Sequence, residues 1–324
     1  MTRIRFLLLL CLSVLTWPMA MAQPAPWPSK PIRLVIGFTA GGPTDVVGRI
    51  LAQQLSERLG QQVIVDNKAG AAGSIGAAFV AQQPADGHTL YLAVQTTHAV
   101  APFMYPNVGY DPVRDFVGIA RVVHNPLLMV VHPSLPVKNL SELVAYAKAN
   151  PGKLSFATGG SGSSPHMSME MFRNAAGMDM VPVHYKGDSA AMTDLLSGRV
   201  PLMMSSISGH MANVQGGRVR PIAVSGLARS AQLPDVPTIS ESGFPNFEVV
   251  TWWGLVARAG TPREVVDRIH RETVAALQQP AVREQFAKLG VDVAPQGPAE
   301  FTTYIASEAQ RWGGLVKSLG LKAQ

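Results

Sequence analysis

The 324-residue chain is 47% hydrophobic and only 15% charged, with a net charge of +6 and a single cysteine. A chain of this size buries roughly three quarters of its unfolded surface, enough for two lobes without help from disulfides. Basic residues are scattered, with no Lys/Arg run and no aromatic platform motif, so the positive balance points to small anions and excludes nucleic acid.

Arg3 and Arg5, the apolar run from Phe6 to Leu15 and Ala20-Met21-Ala22 read as a signal peptide over residues 1–22, cleaved after Ala22 on export. Its removal takes two arginines and the only cysteine, Cys11, leaving 302 of the 324 residues at +4. No small residue precedes Cys11, so a lipid anchor is not expected, and no other apolar run reaches the roughly 18 residues that span a bilayer. After a Pro-rich stretch, Ile32 to Ile36 reads as a buried strand. Phe38-Thr39-Ala40-Gly41-Gly42-Pro43-Thr44-Asp45 then leads into a helix with apolar Val47, Ile50, Leu51, Leu55 and Leu59, stopped by Gly60. A glycine pair between strand and helix lets a ligand approach the backbone, and the helix start favours an anion.

Further strands are expected at Gln62 to Asp66, Thr89 to Val94, Leu154 to Ala157, Val181 to Tyr185, Val200 to Ser205, Arg220 to Ser225 and Val249 to Val256. Helices are expected after Gly70–Gly76, after the capping box Asn139-Leu140-Ser141-Glu142, from Ser164-Pro165, through Leu196, from Thr261-Pro262-Arg263-Glu264, and over residues 299–319. This alternation implies α/β architecture with largely parallel sheets. The run Phe116 to His132, interrupted by His124-Asn125-Pro126, has the length of a chain crossing between lobes. Three glycine-rich loops follow strands, at Phe38–Thr44, Gly70–Gly76 and Thr158–Ser164. Two precede the crossing and one follows it, and ligands bind at the carboxyl ends of strands in open α/β sheets.

Enzyme motifs fail one by one. Pro43 breaks a Walker loop, Gly70–Gly76 has the wrong spacing for a dinucleotide fingerprint, and Ser163 stands where G-x-S-x-G needs its last glycine. His166 and Glu170 are four apart on a helix but lack a third metal ligand. Asp86 and Asp188 are explained by turns. Trp252 and Trp253 point to opposite faces of a strand, one toward the core and the other a candidate for the cleft. Met167, Met169, Met171, Met178 and Met180 read as adaptable packing rather than a cofactor box.

In order and spacing the chain resembles the Bug family of periplasmic solute-binding receptors for tripartite tricarboxylate transporters. The carriers are Ile36–Asp45, Asn67–Gly76, Pro84–Leu90, Val183-His184-Tyr185-Lys186-Gly187, Leu195–Gly198, Leu233–Thr238, Glu241-Ser242-Gly243, Trp253-Gly254-Leu255 and Ala259–Pro262. The resemblance implies an α/β, two-lobed periplasmic binding protein fold of type II-like form, each lobe a mostly parallel sheet flanked by helices. Residues 23–123 and 221–324 would form lobe 1 and residues 124–220 lobe 2. It also implies a monomeric periplasmic receptor, not an enzyme and without cofactor or metal, that delivers a small di-, tri- or aromatic carboxylate to the membrane components of the transporter. A sensor role feeding a kinase is the alternative, and a hydrolase using Ser161 or Ser163 with His166 is weaker, because no carboxylate is evident to orient the histidine. Matched by motif, the first-lobe contacts are Phe38, Gly41, Gly42, Thr44 and Asp45, then Gly70 and Ala71, with Thr96 in the Gln95–His98 loop. The second lobe supplies Gly159, Ser161, Gly162, Ser163 and His166, then Tyr185, Lys186 and Gly187, with Ser206. Ala40 and Pro201 depart from the family pattern, and Ser205-Ser206 stand where an acid often follows. Two serines offer no charge to a ligand ammonium, so an acid without an α-amino group is expected.

Overall fold

The computed structural model describes residues 27–160, 163–185 and 187–320. The expected signal peptide, Ser161, Gly162 and Lys186 lie outside the described residues. The first part of the chain runs β1 (Ile32–Ile36), α1 (Pro43–Leu59), β2 (Val63–Asn67), α2 (Ser74–Ala81), β3 (Thr89–Val94) and the short α3 (Ala101–Met104). The 16-residue β4 (Phe116–Val131) follows. The middle holds α4 (Leu140–Ala149), β5 (Ser155–Thr158), α5 (Ser164–Ala176), β6 (Val181–His184), α6 (Asp188–Leu196), β7 (Leu202–Ser206), α7 (Ile207–Gln215) and β8 (Arg220–Val224). The chain returns through β9 (Val250–Arg258), α8 (Arg263–Leu277), α9 (Pro280–Lys288), β10 (Asp292–Gln296) and α10 (Pro298–Ser318). Among the described residues no helix is long and apolar enough to cross a membrane.

One strand joins the two halves. From Phe116 to Pro126, β4 pairs antiparallel with β9, and from Leu127 to Val131 it pairs antiparallel with β7 and β8. The exchange of partners falls at Pro126, which has no N–H to donate to a ladder. The sequence break at His124-Asn125-Pro126 is therefore a change of neighbour within one continuous strand.

Strand direction then fixes the cleft. β1, β2 and β3 are mutually parallel, and β3 and β4 both run antiparallel to β9, so β3 and β4 share a direction. β7 opposes β4, and β5 and β6 run with β7. Because β4 leads from the first lobe into the second, the carboxyl ends of β1–β3 point at the second lobe and those of β5–β7 point back. The sheets are thus mixed, with parallel outer strands and antiparallel crossing strands.

Alternation across each strand builds the core on both faces. Ile32, Leu34 and Ile36 of β1 pack with Leu51 and Leu55 of α1 and Ile269 of α8, while Val35 packs with Ala77 of α2 and Phe301 of α10. In the second lobe Leu127, Met129 and Val131 of β4 join Phe172 and Met169 of α5, and Leu128 and Val130 join Ala191 and Leu195 of α6. Met169, Met178 and Met180 are core residues here.

The expected division at residue 220/221 falls at the start of β8, which pairs with β4. β8 belongs to the second lobe's sheet, with Ile222 and Ala223 on one of its core faces and Val224 on the other. The chain recrosses only at Val249 and Val250. There the fully buried Ser225 stitches the two crossings: its hydroxyl accepts from Leu127 N at 2.8 Å and donates to Val249 O. Ser225→Ala leaves a buried N–H and C=O unpaired and is expected to lower stability by about 1–3 kcal/mol, read as a lower midpoint in urea denaturation with an unchanged slope.

Candidate functional site

The loop between β1 and α1 is held from within. Gly41 has φ +82°, a left-handed conformation that favours glycine, and its amide donates to Asp45 Oδ2 at 2.9 Å. The same oxygen accepts from Arg49 Nε at 2.7 Å, and Oδ1 accepts from Asn67 Nδ2 at 2.9 Å. Asn67 also donates to Phe38 O at 3.0 Å. Burial alone raises the Asp45 pKa, but the bonds from Arg49, Gly41 and Asn67 override it and hold the carboxyl at about 2. Thr44 is buried and its hydroxyl accepts from Trp253 Nε1 at 3.0 Å. Of the expected contacts in this loop, Asp45 and Thr44 therefore turn their side chains to the scaffold. Their backbone amides are another matter. The N-cap Gly42 offers no side chain, Pro43 has no N–H, and the first helical bond is Val46 N to Gly42 O, so the Thr44 and Asp45 amides have no acceptor inside the helix.

The second loop carries four successive positive φ values: Gly70 (+133°), Ala71 (+46°), Ala72 (+53°) and Gly73 (+91°). Each alanine there is strained by about 1–2 kcal/mol. Thr97 Oγ1 donates to Ala72 O at 2.9 Å, and Tyr91 Oη donates to Gly73 O at 3.0 Å. Loops one and two touch: a Cβ on Gly37 would lie 2.4 Å from Tyr91 Oη and 2.6 Å from Gly73 Cα. Thr96, Thr97 and His98 form part of a single π-helical turn, Thr96–Val100, directly after β3. His98 is fully buried against Tyr91 and Phe116, and desolvation lowers its pKa to about 3, so it adds no charge beneath the loops.

On the facing lobe, Ser163 is the N-cap of α5 and accepts from His166 N at 3.4 Å. That capping position is the role the structure gives Ser163, the serine also considered as a nucleophile. His166 is buried, and desolvation, with His184 and Arg173 nearby, lowers its pKa to about 4, leaving it neutral at physiological pH. Its ring stands edge-on to His184 with centroids 4.6 Å apart, and His184 Nδ1 lies 2.8 Å from Thr158 Oγ1. Glu170 Nearby pairs with Arg173 at 2.6 Å. Among the described residues no three potential ligands gather around a metal position. Gly187 starts α6 without a side-chain cap and donates its amide to Gly159 O at 3.1 Å, joining two expected contacts. Tyr185 Oη donates to Asp194 at 2.8 Å, and Ser205 Oγ donates to Asp188 at 2.6 Å. Ser206 caps α7, accepting from Gly209 N at 3.3 Å.

Strand direction thus sets the expected residues on opposing strand ends: Phe38 to Asp45, Gly70, Ala71 and Thr96 on one side, Gly159, Ser163, His166, Tyr185, Gly187 and Ser206 on the other. The supports are what residue-by-residue reading of the sequence missed: Asn67, Tyr91, Thr97 and the indole of Trp253, which is buried in the core beneath Thr44. A concavity of about 820 Å³ beside Tyr105, Arg114 and Gln310 is lined by no residue of the three glycine-rich loops.

Comparison with known proteins bears on this arrangement. A sequence profile described as the tripartite tricarboxylate transporter family receptor matches residues 47–321. A protein of the tcbD–tcbE intergenic region of Pseudomonas sp. (strain P51) is 41% identical over 298 residues, covering 92% of this chain and 88% of its own. Protein BugT of Bordetella pertussis is 36% identical, covering 91% of each. Among solved structures, an R. palustris protein with adipate superposes with a TM-score of 0.69 at 33% identity, covering 91% of this chain and 99% of that one. A ligand-free TctC solute-binding protein from Polaromonas superposes at 0.81 with 28% identity, covering 90% and 99%.

Asp45 has a folded pKa below its unfolded value of about 4, so its contribution is complete above pH 4 and is lost as the pH falls toward 2. Asp45→Asn is expected to lose about 1–3 kcal/mol at pH 7 through its broken buried bonds. The gap between variant and wild type should narrow below pH 4, as urea melts at pH 7, 4 and 3 would record.

Proposed function

Because the chain belongs to the tripartite tricarboxylate transporter receptor family, we propose that it is a periplasmic receptor that captures a small carboxylate between its lobes and delivers it to the membrane components of such a transporter. The observation that carries this reading is the uncapped start of α1 at a strand end aimed at the opposing lobe. Two backbone amides there have no acceptor of their own, and the helix dipole adds its positive end. Recognition of this kind selects a carboxylate by geometry and leaves the rest of the ligand to the facing lobe. The adipate in a relative's structure supports a dicarboxylic acid.

An acid without an α-amino group fits best. The carboxylates near the facing strand ends are already engaged: Asp45 by Arg49 and Asn67, Asp188 by Ser205, Asp194 by Tyr185 and Arg199, and Glu170 by Arg173. A ligand ammonium would have to share one of these carboxylates with the partner that already holds it. Calorimetry against succinate, adipate, citrate, benzoate, aspartate and glutamate should show binding by simple acids. Tight binding of the two amino acids alone would overturn the assignment. Gly41→Val forces a β-branched residue to φ +82° and should abolish binding with the fold retained by circular dichroism.

The higher superposition on a ligand-free relative than on the adipate-bound one, despite lower identity, supports an open form for the lobes described here. Binding shared by both lobes then favours a closed form. Small-angle scattering should show a smaller radius of gyration at saturating ligand, and a hundredfold excess over Kd should add about 2.7 kcal/mol of stability. An unchanged curve with ligand confirmed bound would indicate a rigid, preformed cleft.

A further inference from the structure

We infer that Tyr91 and Thr97 are the positioning residues of the anion site, two buried hydroxyls that hold both first-lobe loops in the shape that leaves their amides free for a carboxylate. This inference rests on the receptor reading above. Neither residue reaches the cleft: both are fully buried. Their hydroxyls nevertheless meet the loops at the points where the backbone is least at ease. Thr97 Oγ1 takes the Ala72 carbonyl and Tyr91 Oη takes the Gly73 carbonyl, within the run of four left-handed residues. With those carbonyls turned inward, Gly73 N bonds to Gly70 O and Ser74 N to Ala71 O, and the Ala71 and Ala72 amides are left with no internal acceptor. Two alanines adopt this conformation only where the surroundings over-determine it.

Tyr91 also reaches the other loop. Its hydroxyl lies 2.4 Å from where a Cβ on Gly37 would stand, so one phenol floors the approach of Gly37 to Gly73. The clamp is itself braced: Tyr110 Oη donates to Thr97 O at 2.5 Å, and Tyr91 Oη lies 3.4 Å from Thr97 Oγ1. The loops that offer the Thr44 and Asp45 amides on one side and the Ala71 and Ala72 amides on the other thereby keep a fixed spacing.

The test separates this role from general stability. Thr97→Val removes one donor at nearly constant volume, Thr97→Ser keeps it, and Tyr91→Phe removes the second. Hydrogen exchange followed by mass spectrometry on the unliganded protein should show peptides spanning Gly70–Gly76 exchanging about tenfold faster in Thr97→Val and Tyr91→Phe, with peptides of β5 and α5 unchanged and Thr97→Ser close to wild type. Calorimetry with adipate, citrate and benzoate should show an affinity loss of about tenfold in the two disruptive variants and recovery in Thr97→Ser. Unaltered exchange at Gly70–Gly76 in both disruptive variants, or equal acid affinity in variant and wild type, overturns the inference. If wild type binds none of the three acids, the receptor reading is what loses support, and the exchange data alone still decide whether the clamp exists.

Discussion

Everything about the two-lobed plan turns on one strand changing partners. β4 spends its first part against β9 and its last five residues against β7 and β8, and the exchange happens at a proline that could not have served an unbroken ladder. From that single crossing the directions of the parallel strands follow, and from their directions the facing of the loops. Had β4 turned back at Pro126, the glycine-rich loops of the two halves would have no reason to meet. Ser225, buried where β4 hands over to its new neighbours, bonds both crossing segments and keeps the junction narrow.

Charge is used sparingly at the strand ends. The acids there are spent on holding structure, and Asp45 shows how: a carboxylate held at about pKa 2 by Arg49, Gly41 and Asn67 against the cost of burial. A carboxylate at the base of the proposed anion site is a paradox only if side chains are expected to do the binding. Asp45 instead shapes the turn at the start of α1, where the Thr44 and Asp45 amides have no acceptor inside the helix, and Arg49 balances its charge on the helix side. His166 and His98, both kept neutral by burial, likewise add shape without charge. The backbone is left to supply the positive field, which suits a ligand recognised by its carboxylate geometry.

Much of this was legible in the chain. The strand, glycine pair and helix at Ile32–Gly60 could be read from residue types alone, because each step obeys a local rule: apolar run, φ-permissive glycine, proline at the first helical turn, stop glycine. The Asn139 cap was equally plain, with its side chain accepting from Glu142 N at 2.9 Å. Thr261 was a weaker signal: its hydroxyl donates back to Arg258 O, and α8 starts at Arg263 behind Pro262, without a side-chain cap. What stayed hidden depends on partners distant in sequence. Tyr91 lies 18 residues from the Gly73 carbonyl it supports, and Trp253 lies 209 residues from Thr44. The place of β8 in the second lobe was invisible for the same reason, since Arg220–Val224 looks like any short strand until it is paired. β10 and α9 carry weak patterns of their own and are stabilised by what they pack against.

The proposed closure on a ligand needs a contact between lobes that tolerates a change of angle. α5 of the second lobe sends Met167 and Met171 into a cluster with Val100, Phe103, Trp312, Leu315 and Val316 of the first. Thioether side chains can shift rotamer and keep contact where branched ones would open a gap. Behind that soft contact the frame is rigid. Glu308 is buried and accepts from Trp252 Nε1 at 3.1 Å and Trp312 Nε1 at 2.9 Å, while Arg311 pairs with it and donates to Glu248 O beside the return crossing. The last helix is thereby bolted to the crossing strand by charge-assisted bonds and meets the other lobe through sulfur. Stiffness lies along β9 and α10, compliance lies at α5, and a rotation about the crossing would leave each lobe's own core covered.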